Sequence, residues 1–165
     1  MYSVGQKVLY GSNGVCVIED ITEKKVGREK IEYYVLKPVC AKSSTLYVPT
    51  HNEKLVSRIR FVLSADQIRD ILKNFKSELS WDDNKLNRND SFRAVISGAR
   101  CDELISLVRL IYSKRAELEQ RGKRLHVSDE RFLREAEKML CDEISDAFQI
   151  DGALALQMVL ENATA

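Results

Sequence analysis

The sequence lacks the long uncharged apolar run that a membrane span requires, and no signal-peptide pattern occupies its first residues. It also lacks the short Cys-x-x-Cys spacing of zinc sites, because its four cysteines lie far apart. Disulfide scaffolds are usually short and secreted. We therefore expect reduced, mostly buried thiols, no bound metal, no cofactor, no membrane partner and a cytoplasmic location.

Motifs for catalysis are also missing. The chain has no Gly-rich phosphate loop, no His-Glu-x-x-His and no Gly-x-Ser-x-Gly sequence. Acidic pairs such as Asp82–Asp83 are adjacent, so on a helix their side chains would point about a hundred degrees apart. Such acids are typical of helix amino termini, where they favour the macrodipole. We expect that the chain is not an enzyme.

The formal net charge of +1 conceals an uneven distribution. Residues 1–60 contain ten Lys or Arg against six Asp or Glu, whereas the remainder contains sixteen against nineteen. Within that remainder, residues 109–134 hold eight basic and four acidic side chains. A phosphate backbone responds to a local patch, so the near-neutral total does not exclude nucleic-acid binding.

The first half of the chain predicts short strands separated by turns. Runs rich in β-branched and aromatic residues predict strands at 4–10, 15–21, 31–39, 45–48 and 55–62, with a charged hairpin tip at 23–30. Five short strands with tight turns within about sixty residues are typical of a small SH3/Tudor-like β-barrel. We assign this barrel to residues 1–62.

Alternation along the second predicted strand places its side chains on two faces. It predicts Val15, Val17 and Ile21 on one face. Cys16 and Ile18 are predicted on the other face.

The second half predicts amphipathic helices. Ser64 and Gln67 have the spacing of a capping box. Asn89 or Asp90 is predicted to cap a second helix, which Gly98 closes. Further helices are predicted at about 102–121, after a cap at Ser128, and after Gly152. Residues 63–165 are therefore expected to form a compact all-α helical domain, which makes the fold class α+β with two domains.

Two groups of basic residues are candidate binding sites. The first is a basic hairpin, which would steer an acidic partner towards an exposed strand edge; it contains Lys24, Lys25, Arg28 and Lys30. The second surrounds Gly122 and would neutralise phosphates without reading bases; it contains Arg121, Lys123, Arg124, Arg131 and Arg134. For both groups the alternative is a solvated surface without a partner.

Trp81 is the single tryptophan of the chain and lies where the strand pattern gives way to helices, within 76–88. A large apolar ring at such a junction is often a core anchor. Lys85 and Arg88 flank it, which suits instead an aromatic presented to an unstacked base or a distorted groove. The sequence leaves both interpretations open.

Several features occur in combination: Val4-Gly5-x-x-Val8-x-Tyr10, the Gly14 turn, Glu32-Tyr33-x-Val35-Leu36-Lys37 and Val48-Pro49. Together they resemble the amino-terminal module of the CarD/CdnL transcription regulators, which also occurs in the transcription-repair coupling factor. The helical half continues the resemblance in Ser80-Trp81, the 104–115 helix and Leu133-x-x-Ala136-x-x-x-Leu140.

The resemblance implies a bacterial, nucleoid-associated regulator without catalytic chemistry. In that family the barrel binds the β subunit of RNA polymerase, and the helical domain reaches promoter DNA at the upstream edge of the melted bubble. A tryptophan matching Trp81 wedges into the minor groove there and stabilises the open complex. Lys24 and Val26 match the polymerase-binding hairpin in type, and Tyr47 stands where the family has a polymerase-contacting arginine. We expect a monomer, with domain swapping as an alternative.

Asp82 and Asp83 depart from the family pattern, because basic residues often follow the tryptophan there. The predicted DNA-contacting residues are Trp81, Lys85, Arg88 and the five basic residues around Gly122. The rival interpretation is a protein–protein adaptor without direct DNA contact, in which Trp81 belongs to the core.

Overall fold

The computed structural model describes residues 1–41, 43–76 and 78–161. The chain divides into two compact units, Met1–Val62 and Leu63–Ala165, which we call the strand unit and the helical unit. Ser77, within the junction, lies outside the described residues. Across the described ranges, no helix is both long and apolar enough to cross a bilayer.

The strand unit contains the five predicted strands in an antiparallel sheet. They are β1 (Lys7–Tyr10), β2 (Val15–Val26), β3 (Glu29–Pro38), β4 (Leu46–Pro49) and β5 (Ile59–Phe61). The sheet order is β4-β3-β2-β1-β5, so the described residues form an open sheet, and the predicted SH3/Tudor-like barrel is not closed. The two edge strands have only four and three residues, which leaves few backbone groups for closing a ring. A short helix, α1 (Glu53–Val56), connects them and is capped by the Asn52 side chain.

A β-bulge interrupts the ladder between β2 and β3. Ile18 lies opposite Leu36, but Asp20 lies opposite Val35, which leaves Glu19 as the extra residue. An inserted residue reverses which side chains face the core, because side chains alternate with a period of two.

The bulge corrects the predicted alternation along β2. Cys16 and Ile18 are fully buried, and Ile21 packs against the same hydrophobic cluster. Ile18 and Ile21 therefore share a face, although the pattern predicted opposite faces for them. Beyond the bulge, the side chains of Lys24 and Val26, which are alternate residues of β2, point away from the core.

The charged segment 23–30 is mostly strand, whereas the sequence predicted a hairpin tip. Val26 lies directly opposite Glu29, so only Gly27 and Arg28 form the turn. Gly27 has a φ of +67° at the first turn position, as in type II′ hairpins. The long ladder holds Lys24 and Val26 on regular strand.

The described part of the helical unit, residues 63–76 and 78–161, contains five helices. They are α2 (Ala65–Lys73), α3 (Lys85–Gly98), α4 (Cys101–Gln120), α5 (Val127–Phe148) and α6 (Gly152–Glu161). Helix α4 packs against all the others. Leu104, Ile105, Leu107 and Val108 are each fully buried, so residues 104–108 of α4 have no solvent-facing side. This segment is the centre of the helical core.

Helix boundaries follow the caps that form. The predicted capping box at Ser64 is confirmed, with reciprocal hydrogen bonds between Ser64 and Gln67. Helix α3 begins earlier than predicted, because the Asn84 side chain accepts hydrogen bonds from the two backbone N–H groups at 86 and 87. Gly98 stays helical, and the left-handed residue that ends α3 is Ala99 (φ +53°).

Helix α5 also begins one residue before the predicted cap. His126 is its N-cap, and Ser128 lies within the helix, where its hydroxyl is buried. The Ser128 hydroxyl therefore does not act as the cap of α5.

Candidate functional site

The three predicted polymerase-binding residues, Lys24, Val26 and Tyr47, lie on one face of the sheet, which we call the outer face. Tyr33 lies on the same face. Lys24 Nζ lies 3.7 Å from the centroid of the Tyr47 ring, across the intervening strand β3. The Tyr33 ring meets the Tyr47 ring edge-on, with centroids 6.2 Å apart. Val26 is 52% exposed and Tyr47 is 47% exposed. The bulge and the register therefore combine a cation, an aliphatic side chain and two aromatic rings on one surface.

Two further properties of this surface matter for binding. Lys25, Arg28 and Lys30 are exposed around the hairpin turn, so the adjoining end of the hairpin is rich in cations. Strand β4 pairs with β3 and is an edge of the sheet. An open edge accepts an incoming strand through main-chain hydrogen bonds.

Trp81 is half-buried at the start of the helical unit. Its ring lies 6.0 Å from that of Phe92 in an edge-to-face arrangement, and Phe92 meets Phe132 in the same way at 5.8 Å. Phe92 itself is 1% exposed. The indole is therefore anchored to the core along one side and keeps part of its surface accessible.

Arg88 is not a surface cation, and its predicted role in contacting DNA is corrected here. Its side chain is 3% exposed and pairs with Asp129, which is 0% exposed. The Nε and Nη2 groups of Arg88 donate to the two carboxylate oxygens of Asp129, each at 2.9 Å. Because α3 already begins at Lys85, Arg88 is helical and faces α5 instead of solvent.

The guanidinium of Arg88 also covers the indole. Its Cζ atom lies 4.3 Å from the centroid of the Trp81 ring, a cation–π distance. Its Nη1 group donates to the backbone carbonyl of Asp82 at 2.9 Å. Arg88 therefore contacts both Trp81 and the residue after it.

Lys114 is a neighbour of Trp81 that sequence reasoning did not single out. Its Nζ lies 5.4 Å from the Trp81 ring centroid, and its side chain is 20% exposed. It lies on α4, far along the chain, so no local pattern connects it with the tryptophan. Lys85 is exposed on the first turn of α3, as expected for a cation that meets solvent or phosphate.

The acids after Trp81 have a local structural setting. Asp82 Oδ1 accepts a hydrogen bond from the Asn84 backbone N–H at 2.9 Å. Both Asp82 and Asp83 are exposed. The Asp82 carboxylate thus helps to shape the turn that leads into the cap of α3.

The five basic residues predicted around Gly122 are all exposed. We call Arg121, Lys123 and Arg124 the basic turn.

Gly122 has a φ of +68°. The backbone N–H groups of Gly122 and Lys123 bond to the carbonyls at 119 and 118, at 3.0 and 2.8 Å, which is a Schellman motif. Arg121 Nη2 lies 3.5 Å from a carboxylate oxygen of the residue at 117. Arg131 and Arg134 follow on α5.

Cys141 and Tyr112 have environments that disfavour their charged forms. Burial raises the pKa of Cys141 to about 11, with Glu137 and Asp142 adding to the effect. Burial also raises the pKa of Tyr112, whose hydroxyl donates to Glu137. Cys16 and Cys101 are buried and Cys141 is partly buried, in line with the expectation of mostly buried thiols, whereas Cys40 is exposed.

Residues 2–60 match the CarD-like/TRCF RID domain family. No curated protein matches the chain. The matched segment covers nearly all of the strand unit and confirms the resemblance on which the amino-terminal motifs were interpreted. This domain family is related to transcription and interacts with RNA polymerase. The chain therefore carries a CarD-like/TRCF RID module at residues 2–60.

Proposed function

We propose that the chain is a regulator of transcription initiation that binds RNA polymerase and stabilises the open promoter complex. The strand unit binds the polymerase β subunit, and the helical unit contacts promoter DNA at the upstream edge of the bubble. The observation that carries the proposal is the assembly of Lys24, Val26 and Tyr47 on one exposed face of a RID module. No catalytic step is required.

The outer face has the properties of a protein-binding surface. Exposed Val26 and Tyr47 offer apolar area that a partner would remove from water, and tyrosine is enriched at binding hot spots. Lys24 already rests on the Tyr47 ring, so both side chains lose less freedom on binding. A strand of the β subunit that pairs with the β4 edge would add main-chain hydrogen bonds.

Trp81 has the properties of a one-sided wedge. Part of the ring is covered by the Arg88 guanidinium, so the indole cannot stack between two bases while that contact lasts. The part of the ring that remains accessible beside Arg88, Phe92 and Lys114 can pack against an unpaired base or the wall of a groove. Stacking on an aromatic ring contributes ~1–3 kcal/mol per base, and ~1.4 kcal/mol changes an equilibrium tenfold. A single ring is therefore enough to shift the balance between closed and open promoter.

In this scheme, lysine and arginine side chains hold the duplex. Lys85 is exposed and lies close to Trp81 in sequence, whereas Lys114 is 20% exposed beside the Trp81 ring. The basic turn, Arg131 and Arg134 add five further exposed cations. Lysine and arginine side chains that neutralise phosphates bind DNA without reading its bases, and this binding releases counterions from the DNA backbone. The binding is therefore expected to tolerate different promoter sequences and to weaken as salt rises.

The lifetime of the open complex on a promoter tests the wedge. Trp81→Ala is expected to shorten the lifetime by about 5- to 150-fold, because it removes stacking of ~1–3 kcal/mol, while polymerase binding stays intact. Trp81→Phe is the matched control and should retain part of the effect. A folded Trp81→Ala variant with an unchanged lifetime would contradict the wedge.

Capture of the polymerase β subunit tests the outer face. Lys24→Glu should weaken binding, because it reverses the charge beside Tyr47 and removes the contact on its ring. Lys54→Glu changes an exposed lysine of α1 in the same unit and serves as the matched control. Full-strength binding by Lys24→Glu would remove the outer face from the interface.

The second candidate function is an adaptor that binds two proteins without touching DNA. The row of rings from Trp81 through Phe92 to Phe132 favours it, since this row gives Trp81 a packing role. The affinity of the full chain for duplex DNA at several salt concentrations separates the two functions. A steep fall with salt supports the regulator, and no measurable binding at low salt supports the adaptor.

A further inference from the structure

A buried ion pair lies against the ring of the partly exposed Trp81. Arg88 and Asp129 are 3% and 0% exposed and join α3 to α5 through two parallel hydrogen bonds of 2.9 Å. A third donor of the same guanidinium binds the Asp82 carbonyl, also at 2.9 Å. The pair thus connects two helices with the segment that carries Trp81.

Stability alone does not account for such a pair. Moving both charges out of water is costly, and well-packed apolar residues of similar volume often leave a protein equally stable or more so. Apolar side chains cannot donate to the Asp82 carbonyl or place a planar cation on the indole. The properties specific to Arg88 therefore all concern Trp81 and its neighbour.

The remainder of the turn restricts Trp81 further. Asp82 Oδ1 accepts from the Asn84 backbone, and Asn84 Oδ1 accepts from the first turn of α3. The chain that follows Trp81 is therefore fixed by hydrogen bonds, while its ring is held by Arg88 and Phe92. A ring with so few alternative positions loses little freedom when it binds DNA, and such preorganisation raises affinity.

We propose that the Arg88–Asp129 pair positions Trp81, holding the indole partly exposed in the orientation in which it meets DNA. Arg88 is a positioning residue, because it acts through Trp81 and is itself too buried to reach a phosphate. The inference rests on the proposed function for its consequence at the promoter. The placement of the ring, however, is a property of the free protein and is measured there.

The test uses the double variant Arg88→Met/Asp129→Val in the full chain. It removes both charges together, so neither is left buried without a partner. Trp81 is the only tryptophan, so the intrinsic fluorescence reports on it alone. We expect a shift of the emission maximum to longer wavelength, stronger quenching by acrylamide, and an open-complex lifetime reduced towards that of Trp81→Ala.

Two further variants make the result decisive. Arg88→Lys keeps a positive charge for Asp129 but loses the forked geometry, and it should also increase quenching. Arg93→Met changes an exposed arginine of α3 and should leave Trp81 fluorescence unchanged. If the double variant does not fold, Arg88→Lys decides the question.

A folded double variant, or a folded Arg88→Lys, with the emission and quenching of the wild type would overturn the positioning role. Increased quenching with an unchanged open-complex lifetime would overturn its relevance to DNA, provided that Trp81→Ala shortens the lifetime. If Trp81→Ala has no effect on the lifetime, the proposed function fails. The fluorescence results would still decide whether the pair positions the ring.

Discussion

Each of the two units places a cation on an aromatic ring, but the two pairs are built differently. In the strand unit, Lys24 lies 3.7 Å from the Tyr47 ring on an exposed face. In the helical unit, Arg88 lies 4.3 Å from the Trp81 ring and is itself buried. The exposed pair depends on the bulge and the register of the sheet, whereas the buried pair depends on a third charged residue, Asp129.

In the strand unit, a change to the cation is expected to affect partner binding more than stability. In the helical unit, a change to the cation is expected to affect both. An exposed cation–π contact contributes about 0.5–1 kcal/mol, so changing Lys24 should affect a partner far more than the fold. Removing one member of a buried ion pair leaves an uncompensated charge in the interior. Variants near Trp81 therefore need stability controls that variants on the outer face do not.

The largest expected effect tests that contrast directly. Asp129→Ala should lower the free energy of unfolding by about 3–5 kcal/mol, because Arg88 stays buried without its partner. Lys24→Ala should change it by no more than about 1 kcal/mol, the most that an exposed cation–π contact contributes. Urea denaturation of both variants measures the difference, and similar losses would break the comparison.

A smaller effect is expected at two turns that resemble each other. Gly27 and Gly122 have φ values of +67° and +68°, with open space where a Cβ atom would lie. Replacing either glycine with alanine should lower the free energy of unfolding by about 1 kcal/mol. The added Cβ atom meets no neighbour, so the whole cost comes from holding alanine in the left-handed backbone conformation.

Gly152 provides the control for these two variants. It begins α6, also has open space, and does not have a positive φ, so Gly152→Ala should be neutral or slightly stabilising. The midpoint of thermal unfolding measures all three. A loss at Gly152 equal to that at Gly122 would show that the φ angle is not the cause.

The smallest effect concerns thiol reactivity and leaves stability unchanged. The pKa of Cys141 is raised to about 11, so about a thousandth of it is thiolate at pH 8, and the thiolate is the reactive form. Cys40 of the strand unit is exposed. Iodoacetamide should therefore modify Cys40 first, as measured by mass spectrometry of the native protein, and the Cys141 rate should rise towards pH 11. Equal rates at pH 8 would contradict the assigned environment of Cys141.

Features that depend on near neighbours were predictable from the sequence. The five strands and the capping box at Ser64 follow from short runs and from a spacing of three residues, and the structure contains both. The bulge at Glu19 was not predictable, because one extra residue leaves the hydrophobic composition unchanged while it reverses the faces beyond it. The open sheet likewise depends on how far the edge strands extend.

An error in one helix boundary caused the error at Arg88. With a cap at Asn89 or Asp90, Arg88 would lie in a loop beside Trp81 and face solvent. The actual cap at Asn84 makes Arg88 helical, and its partner Asp129 belongs to a different helix. Periodicity in the sequence relates residues three or four positions apart. It therefore carries no information about the pairing of Arg88 with Asp129, which are far apart along the chain.

The bulge at Glu19 decides which side chains of β2 a partner can reach. Glu19 and Asp20 together take the place of one residue opposite β3, so the isoleucines on either side both face the core, and Lys24 and Val26 face outwards. If β2 paired with β3 without this bulge, every side chain after Glu19 would change face, and Lys24 and Val26 would point towards the interior. Deleting Glu19 would remove the bulge but keep the present placement, because Asp20 alone would then separate the two inward-facing isoleucines. The surface that this module offers a partner is therefore fixed by the pairing register of β2 and does not require the Glu19 side chain.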